Sequence, residues 1–249
     1  MYLRYALRLF PIFLFACSAN VSEQKITDST TQKKSITEVM LQGKPLLLIN
    51  DSTTNSGATS ASASFVRSCV KTLSGEQGPD WKLLKFIEID SLKTAKAYEK
   101  YVQDLDIGQI KNAYADIYDT LLYPNGKIIV WGLKISSYEA CPYFEGKTIY
   151  LTTISNEGIF KATAAILEIS SGGDAPAFGY DWGQCTIGND LRIACIDSSL
   201  IGESEDQYES VEITPGKTSY EITSDGVIKK LEHQEGSVIK QRRKISVEN

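Results

Sequence analysis

The sequence predicts an α+β protein: a helical first half packed on a mostly antiparallel β-sheet that ends in a C-terminal meander. Three observations predict it. Apolar residues recur at three- and four-residue spacings up to Leu122, they alternate from Lys127 onward, and turn dipeptides punctuate the C-terminal part. The 249 residues are 42% hydrophobic and 23% charged, which fits a globular chain and excludes a disordered or collagen-like one.

The best helical pattern runs from Ile107 to Leu122, where Ile110, Ala113, Tyr114, Ile117, Tyr118 and Leu121 make one stripe. Asp106 and Gln109 have capping-box spacing, and Pro124-Asn125-Gly126 stops the chain. A second helix fits Ser91 to Gln103, with Leu92, Ala95, Tyr98 and Val102 on one face.

Then the period drops to two. Ile129, Trp131, Leu133 and Ile135 point one way, Ile128 and Val130 the other. Thr148 to Ser155 reads as another strand, and Ile159 to Ile169 as a strand with helix-compatible alanines. Pro215-Gly216, Asp225-Gly226 and Glu235-Gly236 read as turns of the meander. A two-residue Asp225-Gly226 turn would pair Ile222 with Lys229, Glu221 with Lys230 and Tyr220 with Leu231.

The chain divides into residues 1–16, residues 17–37 and a single domain over 38–249, with a break near 124–127 if it has two lobes. Residues 1–16 carry Arg4 and Arg8 and then an apolar run too short to span a bilayer, which reads as a signal peptide. The run ends Leu14-Phe15-Ala16-Cys17, which resembles the lipobox of bacterial lipoproteins. The resemblance implies cleavage before Cys17, acylation of its sulfur and attachment to the cell envelope, at the outer membrane in a proteobacterium. The alternative is an ordinary secretory signal containing Cys17 by chance. Ser18 to Thr37, rich in Ser, Thr, Gln and Lys, reads as a tether, and Asn50 to Ser64 as an exposed polar loop.

Cys69, Cys141, Cys185 and Cys195 remain, an even number in an exported chain. Taking Asn189-Asp190-Leu191 as a hairpin loop sets Cys185 opposite Cys195 and Ile187 opposite Ile193. By elimination Cys69 would then join Cys141. The other reading is that some of these are reactive thiols.

The function classes narrow by absence. Lys plus Arg is 26 against 31 acidic residues, a net charge of −5, which argues against nucleic acid as a partner. The single histidine, His233, makes a His-rich metal site or a Ser-His-Asp triad hard to build. No cofactor or metal motif occurs. Gly146-Lys147-Thr148 and Gly216-Lys217-Thr218 lack the first glycine of a phosphate loop. Ser68-Cys69-Val70-Lys71 resembles the nucleophile motif of serine β-lactamases and penicillin-binding proteins, without the other two motifs of that chemistry.

One segment, Gly172 to Gly183, reads as a Gly-rich loop in which Asp174, Tyr180, Asp181 and Trp182 put aromatic rings beside carboxylates, as a sugar or peptide site would need. The alternative is that its aromatics plug the core. Ile196 to Asp225 is acidic and Val227 to Asn249 basic. Such strands can pair with each other, or Lys240 to Lys244 can act as a polyanion-binding tail.

The expectation is a lipid-anchored envelope protein that binds a protein, peptide or glycan without covalent chemistry. The alternatives are an envelope hydrolase using a Ser or paired carboxylates, with Asp174 and Asp181 as first candidates, and a structural subunit of an envelope assembly.

Overall fold

The computed structural model describes residues 46–50, 58–73, 81–94, 110–137, 143–205 and 208–244. Cys17, the tether and Cys141 lie outside the described residues. In chain order the elements are β1 (Leu47–Ile49), β2 (Thr59–Ser60), α1 (Ala63–Val70), α2 (Trp81–Thr94), β3 (Ile110–Tyr123), β4 (Gly126–Ser137), β5 (Tyr143–Ser155) and β6 (Phe160–Asp174). There follow β7 (Ala177–Ile187), β8 (Arg192–Glu205), β9 (Tyr208–Ile222), β10 (Ile228–Glu235) and β11 (Ile239–Lys244).

The strands form one antiparallel sheet in the order β10-β9-β8-β7-β6-β5-β4-β3-β2, with β1 also on β7 and β11 also on β9. This corrects the expected α+β fold, because the described residues as a whole are mostly antiparallel strand and the two helices are short. The predicted helix over Ile107–Leu122 is, from Ile110, strand β3. Its mixed spacing comes from a bulge at Tyr118, which resets the period of two. Before the bulge Ala113 and Ala115 face the helices; after it Leu121 and Tyr123 face the opposite core. Pro124-Asn125 is the turn of the β3–β4 hairpin rather than a helix stop, since Tyr123 pairs with Gly126. Residues 124–127 therefore lie inside a continuous pair of strands. The second predicted helix overlaps α2 only from Ser91 to Thr94, and its remainder lies outside the described residues.

The alternation in β4 is as the sequence predicts, and it separates two cores. Ile128 and Val130 join Ile149, Leu151, Ala164 and Ile187 in the first. Ile129, Trp131, Leu133 and Ile135 join Val66, Leu83, Phe86 and Ile89 of the helices in the second. The sheet coils so that β7–β10 close over the face of β4–β6 away from the helices. Three hydrogen bonds tie this closure: Asn125 Nδ2 donates to the Ser224 carbonyl (2.7 Å), Tyr220 Oη to the Ala165 carbonyl (3.4 Å), and Thr153 Oγ1 to the Gly226 carbonyl.

The helices are too short to be stable alone and depend on docking. Helix α1 starts where the Ser62 hydroxyl accepts from the Phe65 N–H (3.2 Å), one of the orphan donors of a first turn. Val66 and Cys69 then point into the second core. Lys82 of α2 is buried, and its ammonium donates to Thr148 Oγ1 (3.2 Å) and pairs with Glu168, so no charge is left alone.

The C-terminal turns differ from their reading. Pro215-Gly216 lies in the middle of β9, opposite a break between β10 and β11 where Gly236 N–H donates to the Pro215 carbonyl (2.8 Å). Asp225-Gly226 sits in a longer loop closed by Thr223 and Val227, with Gly226 at φ +85°. The register consequently shifts by one, pairing Ile222 with Ile228 and Glu221 with Lys229, while Val227 and Leu231 are exposed. The oppositely charged segments pair: Lys240 reaches Glu212 (2.5 Å) and Arg242 reaches Glu205 (3.0 Å).

Candidate functional site

The segment Gly172 to Gly183 is the end of β6, a tight turn at Ala175-Pro176 and the start of β7, not a loop. Adjacent strand residues face opposite ways. This divides the residues expected to act together. Phe178, Tyr180 and Trp182 lie on the outer face of β7, while Asp181 shares the inner face with Gly183 and Cys185. Asp174 is exposed beside the hairpin turn and pairs with Ala177. The carboxylates and the aromatic rings therefore do not converge.

On the outer face Tyr180 is 48% and Trp182 43% exposed. Phe178 and Tyr180 have ring centroids 5.8 Å apart and planes inclined by 59°. The Phe178 ring lies over Gly202 of β8, where a Cβ would come within 2.4 Å of it. Beside the stripe stand Leu200, the cross-strand partner of Tyr180, and Ile213, the partner of Leu200 on β9.

The inner face carries the Cys185–Cys195 disulfide, with Ile187 opposite Ile193, the register predicted from sequence. Beyond it register brings together a polar group that no local pattern announces. Asp197 pairs with Gly183 on one side and Gly216 on the other. A Cβ on Gly216 would meet the Asp197 carboxylate at 2.6 Å, so glycine leaves the room this side chain occupies. Asp181, diagonal to Asp197, accepts from Ser170 Oγ (2.6 Å). Thr218, opposite Cys195, shares a hydrogen bond with His233 Nδ1 (2.9 Å), and His233 Nε2 lies 3.6 Å from Glu235.

Burial pushes the Asp197 carboxyl above the ordinary carboxylate range; Asp181 and Glu235 add to this, while His233 and Lys230 oppose it. The folded state thus holds this proton more tightly than the unfolded chain. Its stabilising contribution is full below the pH at which the unfolded carboxyl titrates and is lost as pH rises through the higher folded value. Asp197→Asn is expected to raise the melting temperature at pH 7 and to flatten the fall in stability just above the usual carboxylate range. Calorimetry across that range checks it, and an unchanged profile would contradict it.

Cys69 is a free thiol, fully buried, instead of the bridge partner reached by elimination. Trp131 Nε1 donates to Thr152 Oγ1 (2.9 Å), which donates to Cys69 Sγ (3.3 Å) and shares a hydrogen bond with Thr163 (3.0 Å). Burial pushes the thiol up to about 11, so it stays protonated at neutral pH and is shielded from reagents in solvent. Alkylation of the native protein at pH 8 is expected to leave Cys69 unmodified until denaturant is added, which peptide mapping by mass spectrometry reads directly. Ser68 Oγ donates to the Ser64 carbonyl (3.1 Å) within its own helix, and Lys71 is exposed, so the Ser-x-x-Lys segment forms no nucleophile.

Among the described residues no cluster of His, Cys, Asp and Glu could hold a metal ion, and no helix is long and apolar enough to cross a membrane. The fold and the two faces define a disulfide-clamped, coiled antiparallel sheet with an exposed aromatic stripe. Comparisons with protein-family models, with curated proteins and with solved structures give no match to this chain.

Proposed function

We propose that this protein is a lipid-anchored component of the bacterial cell envelope, acylated at Cys17, that binds its ligand noncovalently on the outer face of β7–β9. The observation that carries the reading is the row Phe178, Tyr180 and Trp182 on one face of a strand whose position is fixed by a disulfide. Large aromatic side chains exposed on a rigid sheet supply contact area at little cost in conformational entropy. Anchoring is supported by Arg4, Arg8, the apolar run and Leu14-Phe15-Ala16-Cys17; export is supported by the Cys185–Cys195 bridge. With 24 basic and 31 acidic residues left after cleavage, the lipid and not the charge would supply attachment.

The test is retention on isolated envelope material of the Cys17→Ala chain, which carries no lipid and can be held only by its folded domain. Tyr180→Ser and Trp182→Ser are each expected to weaken retention by about tenfold, as truncation of a central interface aromatic does. Cys17→Ala should abolish incorporation of a palmitate analogue without affecting the folded domain. Retention indifferent to both aromatic substitutions would refute the outer-face reading.

A second reading, a paired-carboxylate hydrolase, is favoured by one observation: Asp181 and Asp197 share the inner face, one accepting a hydrogen bond and the other holding its proton unusually well. In it Asp197 replaces Asp174 as the partner of Asp181. Turnover of a glycan, ester or peptide substrate that disappears in both Asp181→Ala and Asp197→Asn would establish it in place of the first.

A further inference from the structure

We infer that the ligand of the outer face is a neutral, extended glycan; the inference rests on the outer-face reading above and specifies the class of ligand. Same-face residues of a strand recur about every 7 Å, so the three rings form a row along β7, longer than a single sugar or side chain. The inclination of 59° between Phe178 and Tyr180 makes that row stepped, which suits a twisted chain better than a flat one.

A peptide is excluded in its commonest mode. Peptides gain affinity by adding a strand to an open edge. The stripe lies on β7, which is paired by β8 along its length and by β6 and β1 at its two ends. Among the described residues only Trp182 to Gln184 have no strand partner on that side, an edge too short to seat an added strand. A second copy of the chain is disfavoured by size. A face three strands wide and about seven residues long projects on the order of 330 Å² at the usual spacings, against about 800 Å² per partner in a standard interface.

Charge removes the polyanions. The outer-face positions of β7 and β8 from Phe178 to Gln184 and from Ile196 to Gly202 are all uncharged, and Lys217 of β9 stands alone at one corner. Anionic polymers and lipid headgroups are held by clusters of Lys and Arg. What the face does offer is ring surface for the C–H side of a sugar, bordered by Ser171 opposite Tyr180, Ser198 opposite Trp182, and Gln184 for its hydroxyl groups.

The full chain is titrated with cellulose-, laminarin-, starch- and chitin-derived hexamers, with dextran sulfate and phosphatidylcholine vesicles alongside. At least one neutral hexamer is expected to bind with a change in tryptophan emission. Tyr180→Ser and Trp182→Ser should each weaken it about tenfold, while Tyr114→Ser, which removes an exposed ring on β3, leaves it unchanged. Near-ultraviolet circular dichroism confirms that each variant is folded. The inference is overturned if no neutral hexamer binds, if binding ignores the aromatic substitutions, or if only dextran sulfate or vesicles bind. Should every hexamer fail while envelope retention still depends on Tyr180 and Trp182, the glycan assignment alone falls. Should that retention also ignore them, the outer-face reading falls with it.

Discussion

Trp131→Ala is expected to lower the unfolding free energy by about 3–5 kcal/mol, the range for removing a large aromatic from a packed core. Trp131 has 0% exposure. Its ring stacks on Tyr150 at 4.6 Å between centroids and meets Phe65 of α1 edge-on at 5.4 Å. The substitution deletes the surface on which α1 rests and leaves Thr152 without its indole donor (2.9 Å). Trp131→Phe keeps most of the volume and should recover more than half of the loss. Trp182→Ala, on the exposed outer face, should stay within about 0.5 kcal/mol of the parent. Urea denaturation of the three variants measures all of this. A loss below about 1 kcal/mol for Trp131→Ala would mean that the helices do not depend on this core.

Replacing Cys185 and Cys195 together by alanine is expected to cost about 2–4 kcal/mol. The bridge closes a loop with a sequence separation of 10, so the chain-entropy contribution alone is at the lower end of that range. Both sulfurs also sit in the first core, at 0% and 1% exposure, and their loss removes packing between β7 and β8. A reducing agent, which breaks the bridge but leaves both sulfurs in the core, should shift the parent by less than the double substitution does and leave the double variant where it is. If reductant destabilised both equally, the effect would lie elsewhere in the chain.

What could be read from sequence depended on whether the relevant pattern was local. The β4 alternation and the Cys185–Cys195 register each rest on residues within one strand or one hairpin, where period and turn length are both visible. Strand β3 carries a helix-like pattern because a bulge at Tyr118 turns a period of two into spacings of three and four. The one-residue error at Asp225-Gly226 has a similar origin. A glycine with positive φ serves either a two-residue turn or the end of a longer loop, and the Thr223 side chain, which caps the loop through Val227 N–H (3.1 Å), decides between them.

For the candidate site, Tyr180 and Trp182 were found by composition, yet reading their segment as a loop hid the fact that Asp181 must face the other way. No local pattern marks Asp197. Its neighbours Gly183, Gly216 and His233 come from three different strands and meet only through the register of the whole C-terminal sheet.

Hydroxyl-radical footprinting of the full chain, free and bound to envelope material, tests the central claim most directly. Protection confined to Phe178, Tyr180 and Trp182, with the exposed Tyr114 and Tyr208 labelled equally in both states, is the predicted result. Protection of Tyr114 or Tyr208 in place of the β7 rings would contradict it.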